Sequence, residues 1–258
     1  MGRVWTTLPS PSNWGRVRHH RGGPVAPDAV QDGRVTTDIA EIARAETARG
    51  ELVLRRRVSE TAADVLELRV NGVFVMDTLE TTSEIELATQ ALGLVDEPTA
   101  VLIGGLGLGF TLQRVLADAR VERAVVVEIE EPLIEWMRDG TVPHGPAILA
   151  DARASVVNAD IAMAIAEARS TYDLVLLDVD NGPGYLVHDG NEAVYGSAFL
   201  ERCRDLLRPG GVLVVWSAAV APALLAAMRT AFGDAEEQAH DVLLQDRPEE
   251  YFLYLARR

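Results

Sequence analysis

The strongest constraint on the fold is a repeated pattern of apolar runs that begins at Thr99. Five short runs are strand candidates: AVLIGG, RAVVVEI, ASVVN, YDLVLLD and GVLVVWS. Each is followed by a segment with helical spacing: TLQRVLADA, EPLIEWMRD, IAMAIAEA, SAFLERCRDLL and ALLAAMRTAF. Continuously apolar strands that alternate with helices are typical of a parallel sheet covered on both faces. The sequence therefore predicts an α/β fold.

Both ends of the chain depart from this alternation. Residues 51–78 hold three β-like runs, ELVLRRR, DVLELRV and GVFVMDT, and the Asn71-Gly72 pair is a strong hairpin signal. We expect a small antiparallel unit over residues 35–78. Near the C-terminus, AHDVLLQD and EEYFLYLARR are two strand candidates with no helix between them. They predict an antiparallel hairpin that closes the sheet.

Three segments follow from these patterns. Residues 1–34 contain proline, glycine and serine without periodicity and are predicted to be a disordered extension. Residues 35–78 are predicted to form the N-terminal β-hairpin unit, and residues 79–258 are predicted to form the main α/β domain.

Composition excludes several classes of function. The net charge of −15 disfavours nucleic acid as a partner. All 24 basic residues are arginine, so Schiff-base chemistry and a P-loop lysine are excluded. No run approaches 18 apolar residues, so we expect no membrane span. The single cysteine, Cys203, lies on an apolar helical face and predicts a buried thiol; with no disulfide possible within the chain, we expect a cytoplasmic protein.

The stretch VLIGGLGLGF carries the first sign of a ligand. A strand runs into Gly104, Gly105, Gly107 and Gly109, and a helix follows. Small residues before a helix N-terminus let a nucleotide approach the backbone. The dinucleotide fingerprint G-x-G-x-x-G is incomplete, because Phe110 stands where its third glycine belongs. The turn predicts a nucleotide site, and a turn of purely structural use remains an alternative.

Three carboxylates stand at or beyond later strand ends. Glu128 ends RAVVVEI, 19 residues after Gly109, where a carboxylate can accept both hydroxyls of a ribose. Asp160 follows the third strand and could accept the amino group of an adenine, and Asp178 ends YDLVLLD. Ligands of open α/β sheets bind outside the carboxyl ends of the strands. Together, the glycine turn and these three carboxylates indicate an adenosine ligand without pyrophosphate, and therefore S-adenosylmethionine rather than NAD. We expect no metal.

The motifs VLIGGLGLGFTLQRVL, VERAVVVEIEEPLIEWM, YDLVLLDVDNGPG and LRPGGVLVVWS resemble the spermidine synthase (polyamine aminopropyltransferase) family. The resemblance extends over residues 51–257. It implies the class I methyltransferase fold, a mostly parallel Rossmann-like sheet with a small N-terminal β unit. It also implies a homodimer and transfer of an aminopropyl group to a small amine. The implied cofactor is S-adenosylmethionine or its decarboxylated form.

The resemblance also assigns roles to individual residues. Glu128 would hold the ribose, Asp160 the adenine and Asp178 the attacking amine. The implied cofactor-binding set is Gly104, Gly105, Gly107, Gly109, Glu128, Ile129, Asp160 and Ile161. The implied catalytic set is Asp178, Asp180 and Tyr195, and the acceptor candidates are Glu80, Glu84 and Asn181.

Some positions depart from the family pattern. The family carries an aspartate where this chain has Gly107, and that aspartate would repel the carboxylate of intact S-adenosylmethionine. Val75 stands where the family has glutamine, and Glu84 stands near the position of a family tyrosine. With Gly107, the loop is expected to have room for that carboxylate. A methyltransferase and a non-catalytic adenosine-binding protein therefore remain alternatives, and an NAD oxidoreductase is a more distant one.

Overall fold

The computed structural model describes residues 38–58, 63–179, 194–244 and 247–258. The predicted extension over residues 1–34 lies outside the described residues, as do Asp180 and Asn181. The boundary between residues 78 and 79 stays a prediction.

The N-terminal unit is a four-stranded antiparallel sheet. Its strands run in chain order: β1 (Asp38–Thr47), β2 (Gly50–Val58), β3 (Val65–Val70) and β4 (Val73–Asp77). Asn71 and Gly72 have φ angles of 51° and 78°, so the predicted hairpin turn is confirmed. Strand β1 was not among the predicted strands, because alanine, glutamate and arginine favour a helix. Pairing with β2 along its whole length overrides that preference.

The main sheet has seven strands in the order β10-β11-β9-β8-β5-β6-β7. Its strands are β5 (Ala100–Gly104), β6 (Arg123–Glu128), β7 (Ala154–Asn158), β8 (Tyr172–Leu177), β9 (Leu207–Ser217), β10 (Glu236–Leu244) and β11 (Arg247–Arg257). Strands β5 to β9 are parallel to one another. The predicted alternation and the antiparallel C-terminal hairpin are both confirmed.

The hairpin enters the sheet with its second strand inside. Strand β11 lies between β9 and β10, and six consecutive residues from Tyr251 to Ala256 are buried. Strand β10 begins with Glu236, Glu237 and Gln238 and takes the edge. Burial of apolar side chains therefore places the later strand inside the sheet.

Helices cover both faces of the sheet. They are α1 (Thr82–Gly93), α2 (Phe110–Leu116), α3 (Glu131–Asp139), α4 (Gly145–Leu149), α5 (Ile161–Glu167), α6 (Ser197–Leu206) and α7 (Pro222–Phe232). Residues of α1 to α4 share one buried cluster with the N-terminal sheet, and residues of α5 to α7 form a second. Cys203 is fully buried in the second cluster, as predicted, and burial raises the pKa of its thiol.

The parallel strands place their carboxyl ends at one edge. Strand β5 ends at Gly104, β6 at Glu128 and β8 at Leu177, directly before Asp178. The N-terminal sheet packs near this edge and shares its core. Within the described ranges, none of the helices has the length and apolarity needed to cross a membrane.

Candidate active site

A cavity of about 200 Å³ lies between the carboxyl edge of the main sheet and the N-terminal sheet. Its polar wall residues are Ser83, Glu84, Glu128, Glu130, Asp160 and Asp178. The N-terminal sheet contributes an apolar wall of Leu52, Leu68, Val70, Val75 and Met76. The cavity therefore joins carboxylates from the main sheet and α1 to an apolar wall from β2, β3 and β4.

The glycine turn is fixed between two neighbouring strands. The Gly105 amide donates to the Val127 carbonyl at 2.9 Å, and the Asp178 amide donates to the Gly104 carbonyl at 2.9 Å. Gly105 has a φ of 93°, and a Cβ atom there would lie 2.1 Å from the Asp178 carbonyl oxygen. Only glycine allows this approach, which brings the turn against the end of β8.

Gly107 borders the cavity with a φ of 50°. A Cβ atom at this position would lie 2.8 Å from Sδ of Met76. The same sulfur lies 3.3 Å from the Leu108 amide, which donates to it. The sequence predicted open space beside Gly107, and the Met76 thioether occupies part of that space. No local sequence pattern predicts this contact, since Met76 belongs to β4 in the other sheet.

The remaining two glycines lie in the turn and are not in the cavity wall. A Cβ atom at Gly104 would lie 3.0 Å from Leu177 and 3.1 Å from Ile161. A Cβ atom at Gly109 would lie 2.6 Å from Cε of Met137. These glycines let the turn pack closely on the sheet and on α3.

Glu128 is buried at the end of β6, in the cavity wall beside Ile129. Its Oε1 accepts from the Glu130 amide and its Oε2 from the Leu106 amide, both at 2.8 Å. Burial raises the pKa of Glu128, although these amide hydrogen bonds oppose the shift. Each carboxylate oxygen has a second lone pair, so the side chain is held in place and can still accept from a ligand.

Asp160 and Ile161 also border the cavity, at the start of α5. Oδ1 of Asp160 accepts from the Ala162 amide at 2.7 Å, so Asp160 is the N-cap of this helix. The cap uses one carboxylate oxygen and orients the side chain at the cavity. Sequence spacing predicted Asp160 as a binding residue and did not predict its capping role.

Asp178 lies deep in the cavity wall with part of its surface open to the cavity. Its Oδ2 accepts from the Thr111 hydroxyl at 3.3 Å. Loss of contact with bulk water raises the pKa of Asp178 to about 7, and the nearby Glu84 charge adds to this rise. Asp178 is therefore a carboxyl group that changes charge near neutral pH.

Glu84 brings a second carboxyl group to the same cavity from α1. Desolvation raises its pKa, the Ser83 hydroxyl opposes this by donating at 2.8 Å, and the charges of Glu80 and Asp77 add to the rise. Two carboxyl groups that each resist ionisation favour a state with one shared negative charge. An amine placed between them would supply the positive charge that the pair lacks.

Two further predicted site residues, besides Gly104 and Gly109, lie outside the cavity wall. Glu80 accepts from the Thr82 amide at 2.8 Å at the start of α1. The Tyr195 hydroxyl donates to the Val179 carbonyl at 2.8 Å and so holds the residue next to Asp178. Asp180 and Asn181 cannot be placed, because they fall outside the described residues.

The cavity wall also contains residues that sequence patterns did not single out. Glu130 borders it two residues after Glu128, and Trp216 borders it from the end of β9. Trp216 also stacks on Tyr251, with ring centroids 6.4 Å apart. The close spacing of Glu128 and Glu130 in the EIE motif could have identified Glu130 from the sequence, whereas no sequence pattern pointed to Trp216 as a cavity residue. In the described ranges, no cluster of three or more His, Cys, Asp or Glu side chains suits a metal ion.

Comparison with known proteins gives a consistent result. Residues 81–226, more than half of the 258-residue chain, match the Spermine/spermidine synthase domain. Polyamine aminopropyltransferase 2 of Pseudomonas aeruginosa is 37% identical over 124 residues, which are 46% of this chain and 34% of that protein. A polyamine aminopropyltransferase of Saccharolobus solfataricus is 32% identical over 127 residues, 48% of this chain and 40% of that protein. The matches thus span well under half of these relatives' lengths.

Solved structures share the fold. A spermidine synthase in complex with the transition state analogue AdoDATO superposes with a TM-score of 0.71 and 18% identity, covering 84% of this chain and 73% of the other. Spermidine synthase from Thermotoga maritima gives a TM-score of 0.70 at the same identity, covering 84% and 72%. At this identity the comparison establishes the Rossmann-like methyltransferase fold.

Proposed function

Because this chain belongs to the spermine/spermidine synthase family, we propose that it transfers the aminopropyl group of decarboxylated S-adenosylmethionine to an amine. The observation that carries the proposal is Asp178. It is a carboxyl group with a pKa raised to about 7, in the same cavity as the buried Glu128. Such a group can accept a proton from an attacking amine near neutral pH.

The wall residues fit the adenosine part of this substrate. Glu128 keeps lone pairs for ribose hydroxyls, and Asp160 keeps an oxygen for the adenine amino group. Ile129, Ile161 and Leu133 supply apolar surface for the base. The glycine turn lets the ligand lie close to the backbone of Gly105 and Gly107.

The acceptor amine is assigned to the part of the cavity that Asp178 and Glu84 border. Asp178 orients the nitrogen, and Glu84 supplies negative charge that attracts the protonated amine into the cavity. Loss of a proton to Asp178 exposes the nitrogen lone pair, because an ammonium ion is not a nucleophile. Thr111 holds the Asp178 carboxyl group in place through its 3.3 Å hydrogen bond.

The transfer step balances without another reactant. The sulfonium supplies the leaving group. The nitrogen lone pair forms a bond to the aminopropyl carbon attached to sulfur, and that carbon–sulfur bond breaks with its electron pair going to sulfur. The products are a neutral thioether, methylthioadenosine, and an extended amine that leaves as its ammonium ion, because Asp178 already holds the proton that the incoming amine lost. The protein's main contribution is alignment of the nitrogen with the carbon–sulfur bond.

A second candidate function, methyl transfer from intact S-adenosylmethionine, is favoured by Gly107. No carboxylate at that position opposes the carboxylate of the intact cofactor. Against it, Sδ of Met76 lies 2.8 Å from the position that a Cβ of residue 107 would take, so the pocket has less room there than glycine alone implies. The aminopropyl donor is smaller at this end and is the better fit.

Mass analysis of products tests both functions. The protein is incubated with either cofactor and a panel of mono-, di- and triamines, and the amine and nucleoside products are identified. Aminopropyl transfer yields methylthioadenosine and an amine that has gained an aminopropyl group. A methylated amine with S-adenosylhomocysteine would establish the methyltransferase instead. Tight nucleoside binding with no product from either cofactor would favour the non-catalytic alternative.

A further inference from the structure

Glu130 places a second carboxylate beside Glu128 in the cavity wall. It lies two residues beyond the end of β6 and is the N-cap of α3, and only 10% of its side-chain surface is exposed. Its Oε1 accepts from Nε of Arg49 at 2.9 Å. Its Oε2 is buried and finds no hydrogen-bond donor within the described part of the chain.

Arg49 reaches this carboxylate from the other sheet. It lies in the turn between β1 and β2, 81 residues earlier in the chain. A second guanidinium nitrogen donates to the Ile129 carbonyl at 2.8 Å. Arg49 therefore holds both the side chain of Glu130 and the backbone next to it, and it ties the N-terminal sheet to the end of β6.

One oxygen of the Glu130 carboxylate thus has a hydrogen-bond donor, and the other has none within the described residues. Buried polar atoms in folded proteins nearly always have a partner, and a charged oxygen without one is costly. Oε2 belongs to a residue of the cavity wall, so a ligand in the cavity can supply its missing donor. In an adenosine ligand, the donors are the two ribose hydroxyls and the adenine amino group.

The position of Glu130 favours a ribose hydroxyl over the adenine amino group as the missing donor. It lies two residues beyond Glu128 at the end of one strand, whereas Asp160 lies beyond the neighbouring strand β7. Both Glu128 oxygens already accept one backbone hydrogen bond each. We propose that Oε2 of Glu130 accepts a hydrogen bond from a ribose hydroxyl, with Arg49 as the positioning residue that holds the carboxylate toward the ligand. This assignment rests on the proposed function, because it requires an adenosine-bearing ligand.

The test compares ligands as well as variants. Calorimetry measures the affinity of the full chain for methylthioadenosine and for its 2′-deoxy and 3′-deoxy analogues. The loss of affinity on removing each hydroxyl is determined for the parent, Glu130→Ala and Arg49→Ala. Glu131→Ala is the matched control, because it removes an exposed carboxylate from the next residue.

We expect removal of one hydroxyl to weaken binding to the parent about tenfold or more, as for a hydrogen bond to a charged group. That penalty should fall severalfold in Glu130→Ala and in Arg49→Ala, and should persist in Glu131→Ala. Thermal melting checks that each variant is folded. Should Glu130→Ala fail to fold, Glu130→Gln should show a smaller fall in the same penalty, since a neutral oxygen is a weaker acceptor.

The outcomes separate the two levels of the argument. Equal hydroxyl penalties in the parent and in every folded Glu130 variant would overturn the role of Glu130 and leave the proposed function standing. A parent that binds neither methylthioadenosine nor the sulfonium cofactors would overturn both.

Discussion

Replacement of Asp178 by Asn should stabilise the protein above neutral pH while it removes the proposed proton acceptor. Asn has nearly the same shape and can still accept from the Thr111 hydroxyl, so packing changes little. What disappears is a carboxyl group whose pKa rises from 3.8 to about 7 on folding. A buried carboxyl that must ionise opposes the folded state.

The sign follows from the direction of the shift. Well below pH 3.8 the group is protonated in both states and does not affect stability. Between its unfolded and folded pKa values only the unfolded chain loses the proton, so stability falls as pH rises. Above about pH 7 the full penalty is present. One pKa unit corresponds to about 1.4 kcal/mol, which gives about 4 kcal/mol as an upper value.

Water in the cavity reduces this figure, because Asp178 keeps part of its surface there. We therefore expect Asp178→Asn to be more stable than the parent by about 2–4 kcal/mol at pH 8, with a smaller difference at pH 5. Urea denaturation at both pH values measures it. The control is Asp234→Asn, which changes an exposed aspartate and should show no such pH dependence.

A gain in stability that is the same at pH 5 and pH 8 would refute a raised Asp178 pKa. A variant that is less stable than the parent at pH 8 would refute the desolvation argument altogether. The same variant should lose transfer activity by about 10²–10⁴-fold, the range for removal of a general base. Greater stability with lost activity is the expected signature of a residue kept for chemistry.

Three further predictions concern the cavity and one concerns assembly. Glu84→Gln should move the acidic limb of the pH–rate profile to lower pH, because the Glu84 charge helps to raise the pKa of Asp178; an unmoved limb would contradict the pairing. Glu128→Ala should weaken calorimetric binding of methylthioadenosine by about 1.5–3 kcal/mol, and parental affinity would exclude the ribose role. Gly107→Asp should shift preference toward the decarboxylated cofactor by about one to three decades. Gly107→Ala also displaces Met76 but adds no charge, so it should leave the cofactor preference unchanged. An equal shift in both variants would mean that the effect is steric and not electrostatic. We expect the chain to form a homodimer, so light scattering at micromolar concentration should give twice the chain mass. A mass equal to that of the monomer would contradict this expectation.

The strand and helix pattern was readable from sequence because periodicity is a local property. Continuous apolar runs such as YDLVLLD predict buried parallel strands, and β8 is buried at all six positions. Asn71-Gly72 predicted its hairpin because positive φ angles are inexpensive for that pair. Glu128 was recognisable from its place at a strand end, as was Asp178.

Contacts between distant segments were not readable in this way. Strand β1 and the place of β11 inside the sheet depend on which partners bury their side chains, and local composition does not encode this. Met76 beside Gly107 and Arg49 on Glu130 join residues 31 and 81 positions apart.

The chemical properties of the site are likewise tertiary. The sequence around an aspartate does not show whether its side chain will lie in water or in a cavity. The pKa of Asp178 rises to about 7 only because the fold removes water from it and brings Glu84 near. The sequence by itself therefore determined the fold class and the positions of Glu128, Asp160 and Asp178 at or beyond strand ends, because both follow from spacing along the chain. The tertiary structure decided which carboxyl groups share a cavity and which of them resist ionisation, because desolvation and Coulomb interactions act through space.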